Sequence, residues 1–200
     1  MSSIIETYNL ALGHLGMQGI TSVTEETPSA IALNNYYAPC RDDALGDAKW
    51  VFATHKEKLV SVSDTVLELE WGYVYVYPTA ALRVWNVYNS STVDNKHEQE
   101  FESVYQQSNN RRVLCSDLDS AYAEYTYKLE DTTLYPAKFI LALSYKLAAS
   151  AAHTLIGDAD KGLKLLDVYN GVLGEAKRLG YIERIKKPKK ITSSYQNARG

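Results

Sequence analysis

The sequence has few of the residues that build metal centres, redox sites and membrane spans. Two cysteines and four histidines occur in 200 residues, and none lies at zinc-ligand or redox-motif spacing. No run reaches the roughly 18 consecutive apolar residues of a membrane span, and Met1 is not followed by the regions of a signal peptide. We therefore expect a protein made in a reducing cytoplasm, with no metal, no cofactor and no membrane partner.

Motifs of the common enzyme classes are missing too. The sequence has no nucleophile elbow, no phosphate-binding glycine loop and no dinucleotide-binding fingerprint. Two of its many carboxylates could meet in space as an acid and a base, as in an enzyme with muramidase-like chemistry. A solvated acidic surface explains the same residues without any chemistry, so we expect no enzymatic activity.

Charge of opposite sign is concentrated in two regions of the chain. The last 24 residues, from Lys177 to Gly200, contain eight Lys or Arg and one Glu, whereas the residues before them contain 13 basic and 23 acidic side chains. The formal charge is thus about +7 in the tail and about −10 in the body, which together give the −3 of the whole chain. An acidic domain followed by a basic arm indicates an arm used for attachment.

Helical patterns begin the chain. Ser3 and Glu6 form a capping box for a first helix that Gly16 should end. A second helix starts at Pro28, because proline at the first helical position loses no hydrogen bond. Pro39 lies within its apolar pattern and predicts a kink or break near that residue.

Helical patterns also return in the second half of the chain. A third helix begins near Pro136 and should be buried on most sides, because its circumference is almost wholly apolar or small. Gly157 should end it, and Asp158 should cap a fourth helix that stops at Gly180. The third helix is therefore expected to be the centre of the core. Its main stripe comprises Phe139, Leu143, Leu147, Ala151 and Leu155.

A period of two replaces the helical period between the second and third helices. Trp71, Tyr73, Tyr75 and Tyr77 alternate with valines and are predicted to share one face of a strand. Further strands are predicted at 82–88, 101–106, 112–115 and 121–129. Their short linkers favour antiparallel hairpins and meanders.

The sequence therefore predicts an α+β fold with three parts. A bundle of about four helices comprises residues 1–57 and 132–180. An antiparallel β-rich insertion between helices 2 and 3 comprises residues 58–131. Residues 181–200 form an extended basic C-terminal arm.

The sequence is rich in tyrosine, with 16 tyrosines and three tryptophans. Tyrosine is favoured at protein interfaces, so the rings of Trp71, Tyr73, Tyr75 and Tyr77 are candidates for a subunit interface. The alternative is that they fill the core of a small sheet. Binding of single-stranded nucleic acid is less favoured, because the strand block from Trp71 to Tyr88 contains a single basic residue, Arg83.

Several segments resemble one family. They are Tyr-Ala-Pro-Cys-Arg-Asp-Asp-Ala-Leu at 37–45, Trp-Val-Phe-Ala at 50–53, Leu-Arg-Val at 82–84 and Leu-Cys-Ser-Asp at 114–117. Their residues and order resemble the bacteriophage head-to-tail adaptor proteins, including those called tail tubular protein A in short-tailed phages. The resemblance spans about residues 4 to 180.

This resemblance implies a structural virion protein, assembled in the host cytoplasm, rather than an enzyme. Such adaptors form a ring, commonly of twelve copies, between the portal protein and the tail nozzle protein. Double-stranded DNA passes through the ring without specific binding, which an acidic body suits. The resemblance also implies that the rings from Trp71 to Tyr77 contact a neighbouring subunit or the nozzle, and that the C-terminal arm gains order when it docks to the portal. The implied portal-docking arm contains Tyr181, Arg184, Lys186, Lys187, Lys189, Lys190, Tyr195 and Arg199.

A second function remains open at this stage. The same basic arm could contact nucleic-acid phosphates without sequence preference, and the protein would then be a nucleic-acid-binding protein.

Overall fold

The computed structural model describes residues 4–63, 70–89 and 99–182. These ranges form a mixed α+β fold in which a β-rich insertion separates two pairs of helices, and this confirms the predicted fold class. The helices are α1 (Ile4–Leu15), α2 (Pro28–Gly46), α3 (Ala137–Ile156) and α4 (Ala159–Ile182). The strands are β1 (Thr54–Lys58), β2 (Ser61–Val62), β3 (Tyr73–Val76), β4 (Ala81–Tyr88), β5 (Phe101–Gln106), β6 (Arg111–Ser116) and β7 (Tyr122–Tyr127).

The start of α1 is only partly described, whereas α2 begins at Pro28 as predicted. The predicted capping box includes Ser3, which lies outside the described residues. The Thr27 side chain accepts a hydrogen bond from the Ala30 backbone N–H at 3.2 Å and so caps α2.

The predicted break in α2 is wrong, because the helix runs through Pro39 without interruption. Proline at this position leaves the Asn35 carbonyl without its helical partner. Both Asn35 and Pro39 are exposed, so water can hydrate that carbonyl.

Helix α3 is the centre of the bundle, as predicted. It packs against α1, α2 and α4, and Phe139, Leu143 and Leu147 are fully buried. By length and composition α3 could cross a membrane, but more than half of it is buried against the rest of the protein, as in the core helix of a globular domain.

The turn between α3 and α4 follows its prediction, whereas the end of α4 does not. Gly157 adopts a left-handed conformation (φ 66°) that ends α3, and the Asp158 carboxylate accepts a hydrogen bond from the Lys161 backbone N–H at 2.8 Å. Helix α4 continues to Ile182, two residues beyond the predicted stop at Gly180.

The insertion consists of two antiparallel sheets. One has the strand order β1-β7-β4 and the other β2-β3-β6-β5. Strand β5 has the predicted bounds, whereas β1 and β2 were not predicted. The predicted boundary between residues 57 and 58 falls inside β1.

The inner faces of the two sheets share a small core of their own. Tyr75, Tyr77 and Leu114 from the four-stranded sheet pack with Val87 and Tyr125 from the three-stranded sheet. The bundle core is separate from this cluster and larger. The outer face of each sheet therefore points away from the other sheet, and the two outer faces lie on opposite sides of the insertion.

Ion pairs fix the insertion to the end of the bundle. Arg41 of α2 contacts Glu130, which follows β7, at 3.2 Å, and Lys128 contacts Asp42 of α2 at 3.4 Å. Arg83 of β4 also donates a hydrogen bond to the Gly46 carbonyl at 3.4 Å. These contacts connect the three-stranded sheet to α2.

Candidate functional site

The residues predicted for the portal-docking arm fall mostly beyond the described part of the chain. Tyr181 lies within α4, so the helix enters the segment predicted to be extended. The other arm residues lie outside the described residues: Arg184, Lys186, Lys187, Lys189, Lys190, Tyr195 and Arg199. Their role stays a prediction.

The four aromatic residues predicted as an interface divide into two buried and two accessible rings. Tyr75 is 2% exposed and Tyr77 is 9% exposed, and both belong to the core between the sheets. Burial raises the pKa of Tyr75, and its hydroxyl donates a hydrogen bond to the Leu118 carbonyl. Both rings therefore fill the core between the sheets, which is the alternative that the sequence left open.

Tyr73 and Trp71 have accessible surface. Tyr73 is 37% exposed, and Trp71 is half-buried. The predicted single face does not include Trp71, because it precedes β3 and packs with Val74 on the outer face of the four-stranded sheet. An interface role stays a prediction for these two residues.

Trp71 and Tyr73 stand among carboxylates at one end of the four-stranded sheet. The Trp71 indole N–H donates to Glu102 at 3.4 Å, and the Gly72 backbone N–H donates to Asp117 at 2.9 Å. The described segments 70–77, 99–106 and 116–121 contain five carboxylates and no Lys or Arg. We call this surface the acidic end. It comprises Glu70, Glu100, Glu102, Asp117 and Asp119, all exposed, with Trp71 and Tyr73.

The outer face of the three-stranded sheet has the opposite charge. Its strand register aligns side chains in three rows across β1, β7 and β4. The rows are Lys58–Tyr122–Tyr88, Lys56–Glu124–Asn86 and Thr54–Thr126–Arg83. Residues opposite each other in adjacent strands project to the same side, so all three rows share one face.

Contacts between side chains confirm this arrangement. The Tyr88 and Tyr122 rings stack at 5.8 Å, and the Lys56 ammonium lies 5.9 Å from the Tyr88 ring centre. The Arg83 guanidinium lies over Trp85 at 4.3 Å. Trp85 in turn donates its indole N–H to the Thr126 hydroxyl at 2.7 Å.

Glu124 is the one carboxylate in the three rows, and it is 7% exposed. It forms ion pairs with Lys49 and with Lys56, the latter at 3.6 Å. Burial, with Glu124 and Tyr122 nearby, raises the pKa of Tyr88. We call this surface the basic face. It comprises Lys49, Lys56, Lys58 and Arg83, with Trp85, Tyr88 and Tyr122.

Sequence reasoning missed the basic face. Lys56 and Lys58 belong to β1, whose residues show no apolar alternation, and only pairing with β7 places them beside Tyr88 and Tyr122. The signal available in the sequence was the alternation of Tyr122, Glu124 and Thr126 with buried residues. That alternation defines the face but not its neighbouring strands.

A second polar cluster lies inside the bundle. The Lys146 ammonium contacts Asp43 at 2.5 Å and Asp47 at 2.9 Å, and the Tyr169 hydroxyl donates to Asp47 at 2.6 Å. Burial alone would lower the pKa of Lys146, but the hydrogen bonds to Asp43 and Asp47 raise it. The Asp47 pKa is lowered by Tyr169 and Lys146 against the opposing effect of burial. This cluster joins α2, α3 and α4.

The three described histidines lie on different elements. His14 stacks on Tyr145 at 3.8 Å and lies 3.0 Å from the Ser144 hydroxyl, and burial lowers its pKa. His55 lies on β1, and His153 lies on α3. Within residues 4–63, 70–89 and 99–182, no group of three or more His, Cys, Asp or Glu is arranged to hold a metal ion.

The two surfaces described above combine charged side chains with aromatic rings. Comparison of the chain with known protein families and with curated proteins gives no match.

Proposed function

We propose that this protein is a structural component of a virion, forming an adaptor ring that joins the portal to the tail nozzle and lines the DNA ejection channel. The observation that carries the proposal is the order of the elements. Two helices precede an antiparallel β-rich insertion, and two helices follow it. This is the order that the resemblance to head-to-tail adaptors implies.

The position of the basic arm supports the proposal further. Helix α4 extends to Ile182, and the sequence beyond it contains most of the basic residues of the tail. In a ring, every copy contributes one arm at a similar position. Many weak arm contacts with one portal then give strong attachment through avidity.

The negative charge of the body is suited to a channel through which DNA moves. Every basic side chain that contacts a phosphate releases counterions and strengthens binding without regard to sequence. A body with a formal charge of about −10 holds DNA weakly and lets it move. The adaptor therefore acts as a passive collar around the genome.

Electron microscopy of the purified protein with its candidate portal tests this function. We expect an additional ring on the portal with the full chain, and no added ring after deletion of residues 183–200. Lys164→Glu, which reverses an exposed charge on α4, is the matched control and should dock normally.

Two results would contradict the proposal. One is a full-length protein that never associates with the portal. The other is a protein that retains double-stranded DNA through its arm in a salt-sensitive way while ignoring the portal, which would favour the nucleic-acid-binding alternative.

A further inference from the structure

We propose that the basic face of one copy binds the acidic end of the next copy, and that these two surfaces form the subunit contact of the ring. This inference rests on the proposed ring function and specifies which surfaces make its self-contact. It concerns contacts between copies and does not involve the C-terminal arm.

Among the described residues, the basic face contains more basic than acidic side chains. Four basic side chains lie in or beside its rows, and Glu124 is the one carboxylate there. Lys49 and Lys56 both pair with Glu124, whereas Lys58 is exposed and has no ion-pair partner within the described residues. The stacked Tyr88 and Tyr122 rings lie in the same row as Lys58 and are half-buried.

The acidic end has the complementary composition. Its five carboxylates are exposed, and no basic side chain occurs in the three described segments that form it. Trp71 and Tyr73 add aromatic surface beside these charges. Tryptophan and tyrosine are enriched among residues that dominate binding energy, so each surface combines charge with hot-spot residue types.

Two residues of the acidic end, Glu102 and Trp71, lie on the opposite side of the insertion from the basic face. The basic face is the outer face of the three-stranded sheet. Glu102 and Trp71 of the acidic end lie on the outer face of the four-stranded sheet, since Glu102 is opposite Cys115 and Trp71 packs with Val74. These two residues can therefore contact one neighbour while the basic face contacts another.

A second copy of this chain is the occupant that the charges favour. Two copies that met through the same surface would place like charges together, which opposes binding. Contact between unlike surfaces avoids this cost. It also produces a head-to-tail arrangement, which closes into a ring when the rotation is suitable.

A complementation experiment tests the contact. One variant loses the basic face through Lys58→Glu with Lys56→Gln, and another loses the acidic end through Glu100→Lys with Glu102→Lys. We expect each purified variant to self-associate roughly tenfold or more weakly than the wild type. An equimolar mixture should form heterodimers that grow no further, because each pair retains a single intact contact between unlike surfaces.

Mass photometry and sedimentation velocity measure the species, and raising the salt concentration should weaken wild-type assembly. Lys164→Glu is the charge control on α4 and should assemble like the wild type. Circular dichroism melting establishes that each variant is folded. If a variant does not fold, the single substitutions Lys58→Gln and Glu100→Gln are used instead, with a smaller expected loss of assembly.

The failure of this contact is distinguishable from failure of the proposed function. Variants that form rings as readily as the wild type, or mixtures that stay monomeric, would overturn the contact while portal docking persisted. Retention of single-stranded DNA that Lys58→Glu abolishes, with ring formation unaffected, would assign the basic face to nucleic acid instead. A wild-type protein that does not dock to the portal would instead contradict the adaptor function.

Discussion

The helical bundle and the β-rich insertion are held together in different ways. The bundle has one large apolar core centred on α3, with the Lys146 cluster as its buried ionic element. The insertion has a smaller core filled by tyrosines such as Tyr75 and Tyr125, and it buries the carboxylate of Glu124 on its outer face. The bundle therefore has the larger apolar core, whereas the insertion presents chemically varied surfaces around a smaller one.

The largest expected effect tests how much the insertion depends on tyrosine packing. Tyr75→Ala removes a ring that is 2% exposed, and we expect it to lower the free energy of unfolding by about 4 kcal/mol. Tyr73→Ala is the matched control, because Tyr73 is 37% exposed and should cost less than about 1 kcal/mol. Urea denaturation measures both, and equal losses would contradict the division between core and surface tyrosines.

A comparable test applies to the bundle. Leu143 is fully buried on α3, so Leu143→Ala should cost about 3 kcal/mol in the free energy of unfolding. Leu163→Ala, at a position that is 63% exposed on α4, should change it by no more than about 0.5 kcal/mol. Fluorescence and far-UV circular dichroism should lose signal together if the bundle controls folding of the insertion. A separate, unshifted transition of the insertion would refute that dependence.

The buried ionic element should contribute less than the apolar core. Lys146→Met keeps the length of the side chain but removes the charge that pairs with Asp43 and Asp47. We expect a loss of about 2 kcal/mol, below the usual cost of breaking a buried pair, because Asp43 is largely exposed and can be hydrated. Lys138→Met breaks an exposed pair with Glu175 and should cost less than about 1 kcal/mol. Similar losses for both variants would show that burial of Lys146 does not make its ion pairs stronger than an exposed pair.

The smallest expected effect is a change of stability with pH that arises from His14 in the bundle. Burial lowers the pKa of His14, so the unfolded chain binds a proton more readily than the folded chain. Stability should therefore fall as the pH drops below about 6.5, the ordinary histidine value, and should not change through this group above it. His14→Gln should have a flatter profile of melting temperature between pH 5 and 7.5 than the wild type. Parallel profiles would exclude His14 as the source.

Prediction from the sequence was most successful for features that depend on residues within a single element. The apolar circumference of α3 predicted a central helix, and Pro28 predicted the start of α2. Gly157 has the positive φ that a helix end requires. Each of these depends on a few neighbouring residues, so a single segment contains the necessary information.

Prediction was less successful where distant segments meet. The polar residues of β1 become a strand because β7 pairs with them, and that pairing creates the basic face. Pro39 is tolerated because its side of α2 is exposed, which depends on how α2 packs on α3. The division of Tyr73 from Tyr75 likewise depends on the second sheet, because the alternating pattern alone places both on one face.

The neighbouring positions of β1 and β7 have a consequence for how such a chain can be remodelled. The chain enters the three-stranded sheet at Thr54 and leaves it near Thr126, and these residues are directly opposite each other. Residues opposite each other in antiparallel strands lie about 5 Å apart, so a short hairpin turn could replace everything between them. The insertion could thus be exchanged, enlarged or removed as a unit without moving the ends of the helices that flank it.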